Sequence, residues 1–294
     1  MLVNPVSEFP LDSWGNENSP LQTGMASLLE SGQVLYFPQL HFDLSENEHR
    51  FLDPSWSDGK SKNISLRGKN AGVQGAKGTE EEIEALSQLV SRFSQQAEAL
   101  VDSLFPEYRG HLQKGFTSYR PAHVETRVTS WRKDDTRLHV DSFPSNPTGG
   151  LRLLRVFTNI NPNGAPRVWR IGEPFEAYAT RFVPKCKSLW PGQAWLLKKL
   201  GLTKSVRSPY DQIMGQLHDL GKFDLEYQEK SPQMTLAIPP GATWVVFSDQ
   251  VLHAVMSGQF MLEQTFYIEP QHLENPSKGP LSTLERMTGK TLLP

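Results

Sequence analysis

The stretch Pro239–Pro270, PPGATWVVFSDQVLHAVMSGQFMLEQTFYIEP, decides the fold. Pro240-Gly241 makes a tight turn. Trp244 to Phe247 is a short apolar run bounded by turn residues, as in a buried strand, and Ser248-Asp249 turns the chain again. A second strand begins at His253, and QFMLEQTFYIEP reads as a third. Turn, strand, turn and histidine in that order put the His253 ring at a strand edge, near the open mouth of a β-barrel.

The same texture runs back to about Phe116. SYRPAHVETRVTSW, LRLLRVFTNINP, RVWRI and QMTLAIPP are short strand-like runs punctuated by Gly, Pro and Asn. So many short strands fit a sandwich, jelly roll or barrel. Helical patterns, GQAWLLKKLGL and SPYDQIMGQLHDLGKF, interrupt them between residues 190 and 225, and GPLSTLERMTGK reads as a terminal helix. Toward the N-terminus, GQVLYFPQL (Gly32–Leu40) reads as a strand. The Gly/Ser/Lys-rich Ser55–Gly78 reads as loop, with the composition of a mobile lid. Thr79 and Glu82 form a capping-box pattern. Ile83, Leu86, Val90, Phe93, Ala97, Leu100 and Val101 then keep helical spacing up to Pro106. The expectation is one domain, mainly β with flanking helices: a flank over 1–115, a core over 116–270 with a helical insertion at 190–225, and a tail over 271–294.

Composition sets outer limits. The chain has 294 residues, 37% hydrophobic and 21% charged, with a net charge of −2, the balance of a globular protein without a general affinity for nucleic acid. No apolar run is long enough to span a bilayer. The N-terminal stretch lacks the basic and apolar regions of a secretory signal, so a cytoplasmic location is expected. Cys186 is the single cysteine, which excludes an internal disulfide and a Cys-rich zinc site.

A second stretch, RLHVDSFPSNPTGG (Arg137–Gly150), carries the chemistry. In extended chain, residues i and i+2 project from one face, so His139 and Asp141 can reach one metal ion. His253 is the candidate third ligand. Two histidines and one carboxylate form the facial triad of non-haem Fe(II) oxygenases, which leaves positions open for a bidentate co-substrate and dioxygen. An isolated H-x-D is a weak signal, and HVE at His123 and Glu125 has the same geometry. That run ranks lower because no Phe-Pro turn closes it. His218, in a helical pattern, reads as surface or core.

With these residues in hand, SWRKDDTRLHVDSFPSNPTGGLRLLRVFTNINPNGAPRVWRIGEPFE and the Pro239–Pro270 stretch resemble the Kdo 3-hydroxylase family of Gram-negative bacteria. The likeness spans about Thr117 to Pro270. It implies a double-stranded β-helix (a jelly roll, cupin-like), with Fe(II) as metal and 2-oxoglutarate and dioxygen as co-substrates. It further implies hydroxylation at carbon 3 of the outer 3-deoxy-D-manno-oct-2-ulosonic acid (Kdo) of Kdo-lipid A, a lipopolysaccharide precursor. His139, Asp141 and His253 match the family's iron positions.

Many such oxygenases hold the far carboxylate of 2-oxoglutarate with an Arg shortly after the second histidine. Here Ala254 to Gln271 contains no Arg or Lys. An unpaired buried carboxylate is costly, so another cation is required. Arg155, which shares a strand face with Leu151, Leu153, Phe157 and Asn159, is the first candidate, and Arg120 the second. Arg137 and Arg152 rank below them, and any of the four could be a structural ion pair. Gln264 and Thr265 face opposite sides of the last strand, and one could add a hydrogen bond. Lys185 to Arg207 carries six cations, no acid, and Trp190, Trp195, Leu196 and Leu197. It suits peripheral docking on an anionic inner membrane as well as it suits a solvated helix. The alternatives are a 2-oxoglutarate oxygenase with another substrate, a cupin-like metal-dependent sugar isomerase, and a carbohydrate-binding module.

Overall fold

The computed structural model describes residues 4–15, 24–66, 72–125, 129–143, 145–188, 190 and 192–293. In chain order the main elements are β1 (Val6–Glu8), α1 (Met25–Glu30), β2 (Val34–Phe37), β3 (Ile64–Leu66), β4 (Val73–Gln74), α2 (Glu80–Leu104), β5 (Gln113–Arg120), β6 (Arg152–Asn159) and β7 (Arg167–Gly172). There follow α3 (Phe175–Phe182), α4 (Gln193–Lys199), α5 (Pro209–Phe223), α6 (Leu225–Lys230), β8 (Gln233–Ile238), β9 (Thr243–Phe247), β10 (His253–Ser257), β11 (Met261–Ile268) and α7 (Pro280–Thr288).

Two sheets face each other. The larger has the order β1-β2-β9-β6-β11-β5-β3-β4 and the smaller β10-β7-β8. All pairs are antiparallel except β1 with β2. Strands consecutive in sequence mostly lie in different sheets or apart in the same one. This is the connectivity of a jelly roll, and it agrees with the expected fold.

Period-two alternation explains why β6 and β11 are buried on both sides. Leu154, Val156, Leu262, Phe266 and Ile268 point outward and pack under α2, whose Leu86, Leu89, Val90, Phe93, Ala97 and Leu100 are wholly or almost wholly buried. Each large apolar side chain removed from water there contributes ~1.5–3 kcal/mol. The capping box holds as read: Glu82 N–H donates to Thr79 Oγ1, and Thr79 N–H donates to Glu82 Oε2 at 2.8 Å. The inner faces meet in a second cluster, where Phe157, Trp169, Trp244 and Met261 fill the closed end of the barrel. A third cluster, with Tyr178, Phe182, Tyr210, Leu217 and Tyr227, holds α3, α5 and α6 against the side of the site.

Three readings need correction. Ser55–Gly78 is not simply loop: β3 pairs with β5 and β4 with β3, although residues 67–71 lie outside the described residues. The strand-like SYRPAHVETRVTSW stops being strand at Arg120, and residues 126–128 lie outside the described residues. A helix not expected from sequence, α3, follows Pro174.

Candidate metal centre

His139 and His253 face each other in an isolated antiparallel bridge, exchanging both backbone hydrogen bonds (3.1 and 2.9 Å). Two residues on, Asp141 N–H donates to Ser248 carbonyl oxygen at 2.8 Å. The spacing predicts a strand, but His139 and Asp141 lie instead on a segment pinned at two points. The i, i+2 geometry survives because a β-bridge holds residue 139 and a backbone hydrogen bond holds residue 141. Pro144, expected in a turn that closes this run, lies outside the described residues.

One ligand atom from each of His139, Asp141 and His253 lies within 4.8 Å of the others. Nε2 of His139 is 3.8 Å from Asp141 Oδ1, and Nε2 of His253 is 3.9 Å from Asp141 Oδ2. The other ring nitrogens are committed: Nδ1 of His139 contacts Arg137 carbonyl oxygen at 2.7 Å, and Nδ1 of His253 contacts Val251 carbonyl oxygen at 2.8 Å. A carbonyl can only accept, so Nδ1 carries the proton and Nε2 offers its lone pair to the shared point. Trp169 stacks on the His253 ring (5.0 Å between centroids, 19°) and further fixes its plane.

Protonation fits the same purpose. Burial pushes the His139 imidazole well below its ordinary pKa, helped by Lys222 and His253, and burial also lowers His253. Burial alone would raise Asp141, but Arg155 and the two histidines more than offset it and hold the carboxyl well below the usual range. Neutral imidazoles beside an ionised carboxylate are the states that bind a metal. Asp141 Oδ2 is enclosed and accepts no hydrogen bond, although Arg155 Nη1 lies 3.3 Å away. A buried acceptor left open, aimed where two lone pairs converge, fits a divalent cation.

Strand register builds a charged wall beside the triad. Thr265 on β11 pairs with Arg155 on β6, and Met261 pairs with Arg120 on β5. Both arginines are thus diagonal to Glu263, within reach of long side chains. Arg155 Nη1 lies 3.0 Å from Glu263 Oε1, and Arg120 closes on Glu263 Oε2. Burial favours neutral forms of these groups, yet the opposite charges prevail: Glu263 is lowered and Arg155 raised. They wall a cavity of about 440 Å³ that reaches Asp141 and Phe143 and includes Thr265, Tyr267 and Lys62. On the α5 side, a smaller cavity of about 230 Å³ also touches Asp141 and Phe143.

The other sequence candidates lie elsewhere. His123 and Glu125 are exposed, 3.9 Å apart, and away from the triad. Arg152 is buried against Asp249 (2.7 Å) and Gln250 (2.6 Å), and Arg137 bonds Asp134 and the Lys222 carbonyl oxygen. Thr265 lines the cavity, while Gln264 turns toward α2 and accepts from Ser94 at 2.7 Å. His218, whose helical pattern predicts surface or core, is buried edge-on to His139, 5.4 Å between centroids. Glu263 escaped the sequence reading. An acid sharing an inward strand face with Met261, Thr265 and Tyr267 was the signal that could have found it.

Residues 13–291 match the family model for 3-deoxy-D-manno-oct-2-ulosonic acid (Kdo) hydroxylase. The chain is similar to the apo structure of the Kdo hydroxylase KdoO, a non-heme Fe(II) alphaketoglutarate dependent dioxygenase. Identity is 49% over 98% of this chain and 97% of that one, with a TM-score of 0.95. KdoO in complex with alphaketoglutarate and Fe(III) matches at 48% identity over the same shares, TM-score 0.94. KdoO with cobalt(II) matches at 49% over the same shares, TM-score 0.95. No curated protein matches.

Proposed function

The chain belongs to the Kdo hydroxylase family, and we propose that it hydroxylates carbon 3 of the outer Kdo of Kdo-lipid A, using Fe(II), 2-oxoglutarate and dioxygen. The isomerase and binding-module alternatives fall away with that membership. The observation that carries the reading is the convergence of His139, Asp141 and His253 on one point beside a cavity walled by Arg155 and Arg120.

When bound, ferrous iron supplies the oxidative chemistry: dioxygen converts one C–H of the sugar to C–OH while 2-oxoglutarate becomes succinate and CO2. The protein's own residues do the rest. His139 and His253 present fixed Nε2 lone pairs, and Asp141 adds one negative charge from a backbone pinned to Ser248. Arg155, with Arg120 behind it, gives the far carboxylate of 2-oxoglutarate its cationic partner. The charge count supports this. Asp141 and Glu263 balance Arg155 and Arg120, so a divalent cation leaves a surplus of two that the 2-oxoglutarate dianion cancels. Behind the His253 ring, Trp169 packs on Phe157 and Trp244, which makes that side of the triad an apolar wall.

Mass spectrometry of Kdo-lipid A after incubation with the protein, Fe(II), ascorbate and 2-oxoglutarate tests the reaction. A gain of one oxygen on the outer Kdo is expected in the complete mixture alone. Oxygen on any other moiety, or none, overturns the substrate assignment.

No helix of the described residues is long and apolar enough to cross a membrane. A peripheral contact at the cytoplasmic side of the inner membrane is part of the same proposal. Among the described residues, the large apolar side chains that stand exposed, Phe116 apart, all lie between Trp190 and Leu225. They are interleaved with exposed Lys185, Lys187, Lys198, Lys199 and Lys204, and Lys199 Nζ sits 4.8 Å from the Trp195 ring centroid. The side chain of Leu197 lies outside what is described. Basic groups beside exposed Trp and Leu match an anionic interface, each cation near the surface adding about 1 kcal/mol. Lys198→Glu with Lys199→Glu is expected to cut kcat/KM on vesicle-borne glycolipid about tenfold or more and to spare a soluble Kdo glycoside. Equal loss on both substrates would remove the membrane from the account.

A further inference from the structure

Kdo is an acid, and its carboxylate sits on the carbon next to carbon 3. Whatever brings that methylene to the metal centre therefore brings an anion with it, only two bonds away. The chamber must hold this carboxylate as well as those of 2-oxoglutarate, and each needs a cation. Among the described residues, three cations line the larger cavity beside Asp141: Arg155, Arg120 and Lys62. The two arginines share Glu263 at the buried wall. Lys62 stands at the rim, its side chain 54% exposed, where an incoming sugar arrives first.

Lys62 is held in a built position. In the turn before it, Asp58 Oδ1 accepts from Lys60 N–H (2.8 Å) and Ser61 N–H (2.7 Å), and Asp58 Oδ2 accepts from Ser61 Oγ. Directly after it, Ile64 enters the sheet opposite Tyr119 of β5. Lys62 Nζ then spans to Asp135 Oδ2 at 2.8 Å. The backbone oxygen of Asp135 accepts from Val255 N–H on β10, the strand that begins with His253. The ammonium is thus tied through one side to the arginine-bearing sheet and through the other to a metal-ligand strand. An ammonium has three donors, so a partner that positions it still permits it to hold a ligand carboxylate.

We propose that Lys62 receives the carboxylate of the sugar substrate, and so selects an acidic sugar and sets its carbon 3 toward the metal. This rests on the reading of the protein as a Kdo hydroxylase acting at that carbon.

The test compares a Kdo glycoside with its carboxamide, which keeps shape and loses charge, on the wild-type protein and on Lys62→Met and Lys62→Arg. The wild-type protein is expected to prefer the acid by about tenfold in kcat/KM, the size of a charge-assisted contact at a partly exposed site. Lys62→Met is expected to bring that preference to near unity, chiefly through KM for the acid, and Lys62→Arg to restore most of it. If Lys62→Met lowers acid and amide alike, Lys62 is only a strut between Asp135 and its turn, and the inference is overturned. If the wild-type protein oxidises neither compound while still consuming 2-oxoglutarate, the substrate reading itself has failed, and this inference with it.

Discussion

His139→Ala is expected to abolish 2-oxoglutarate consumption while leaving the fold in place. The side chain offers one of three converging donor atoms, and removing it leaves a two-point site. Loss of a second-sphere partner alone weakens metal binding ~10–100-fold, so loss of a ligand sets a higher floor. The fold survives because what joins residues 139 and 253 is a pair of backbone hydrogen bonds, which alanine keeps. The missing imidazole costs about 2 kcal/mol through lost packing and the bond to Arg137. Cobalt(II) titration followed by visible absorption reads the metal site, and chemical denaturation reads the fold. Full turnover by the alanine protein would remove His139 from the site altogether.

Arg155→Met is expected to produce the second large effect, in two separable parts. Arg155 lies between Asp141 and Glu263, so its loss leaves the two carboxylates facing each other, with Arg120 still paired to Glu263 and no arginine beside Asp141 among the described residues. Breaking such a buried pair from one side costs ~3–5 kcal/mol. If Arg155 also holds 2-oxoglutarate, affinity for the keto acid falls by at least about a hundredfold. Arg155→Met combined with Glu263→Gln separates the two roles. Stability should recover by roughly 2 kcal/mol, because charge is again balanced, while 2-oxoglutarate binding should not. Denaturation of the metal-free protein and calorimetric titration of the metal-loaded protein give the two readouts. Recovery of both would make Arg155 a structural counter-ion and direct attention to Arg120.

The parts legible in the sequence were those written in short-range patterns. His139 and Asp141 could be paired because i, i+2 spacing is a local rule, and His253 because turns bracket the strand it begins. Arg155 stood out as a charge on an apolar strand face. What stayed hidden depends on which strand lies beside which. Glu263 acquires its meaning only when β11 is laid between β5 and β6, with an arginine diagonal to it on either side. His218 reads as an ordinary helix residue until α5 is folded over the open side of the site. The strands β3 and β4 sit in a Gly/Ser-rich stretch with no alternation, and it is pairing with β5 on one side and with each other that makes them strands. Helix α3 is only eight residues long and follows a proline, too short for periodicity to declare it.

The bridge between residues 139 and 253 has a consequence for the life of the protein without iron. It is where two chain segments more than a hundred residues apart are stitched, flanked by single backbone bonds from Asp141 N–H to Ser248 and from Val255 N–H to Asp135 rather than by a continuous ladder. A cation clasped by both imidazoles would act as a rivet through that seam, so iron supply would govern endurance as well as turnover.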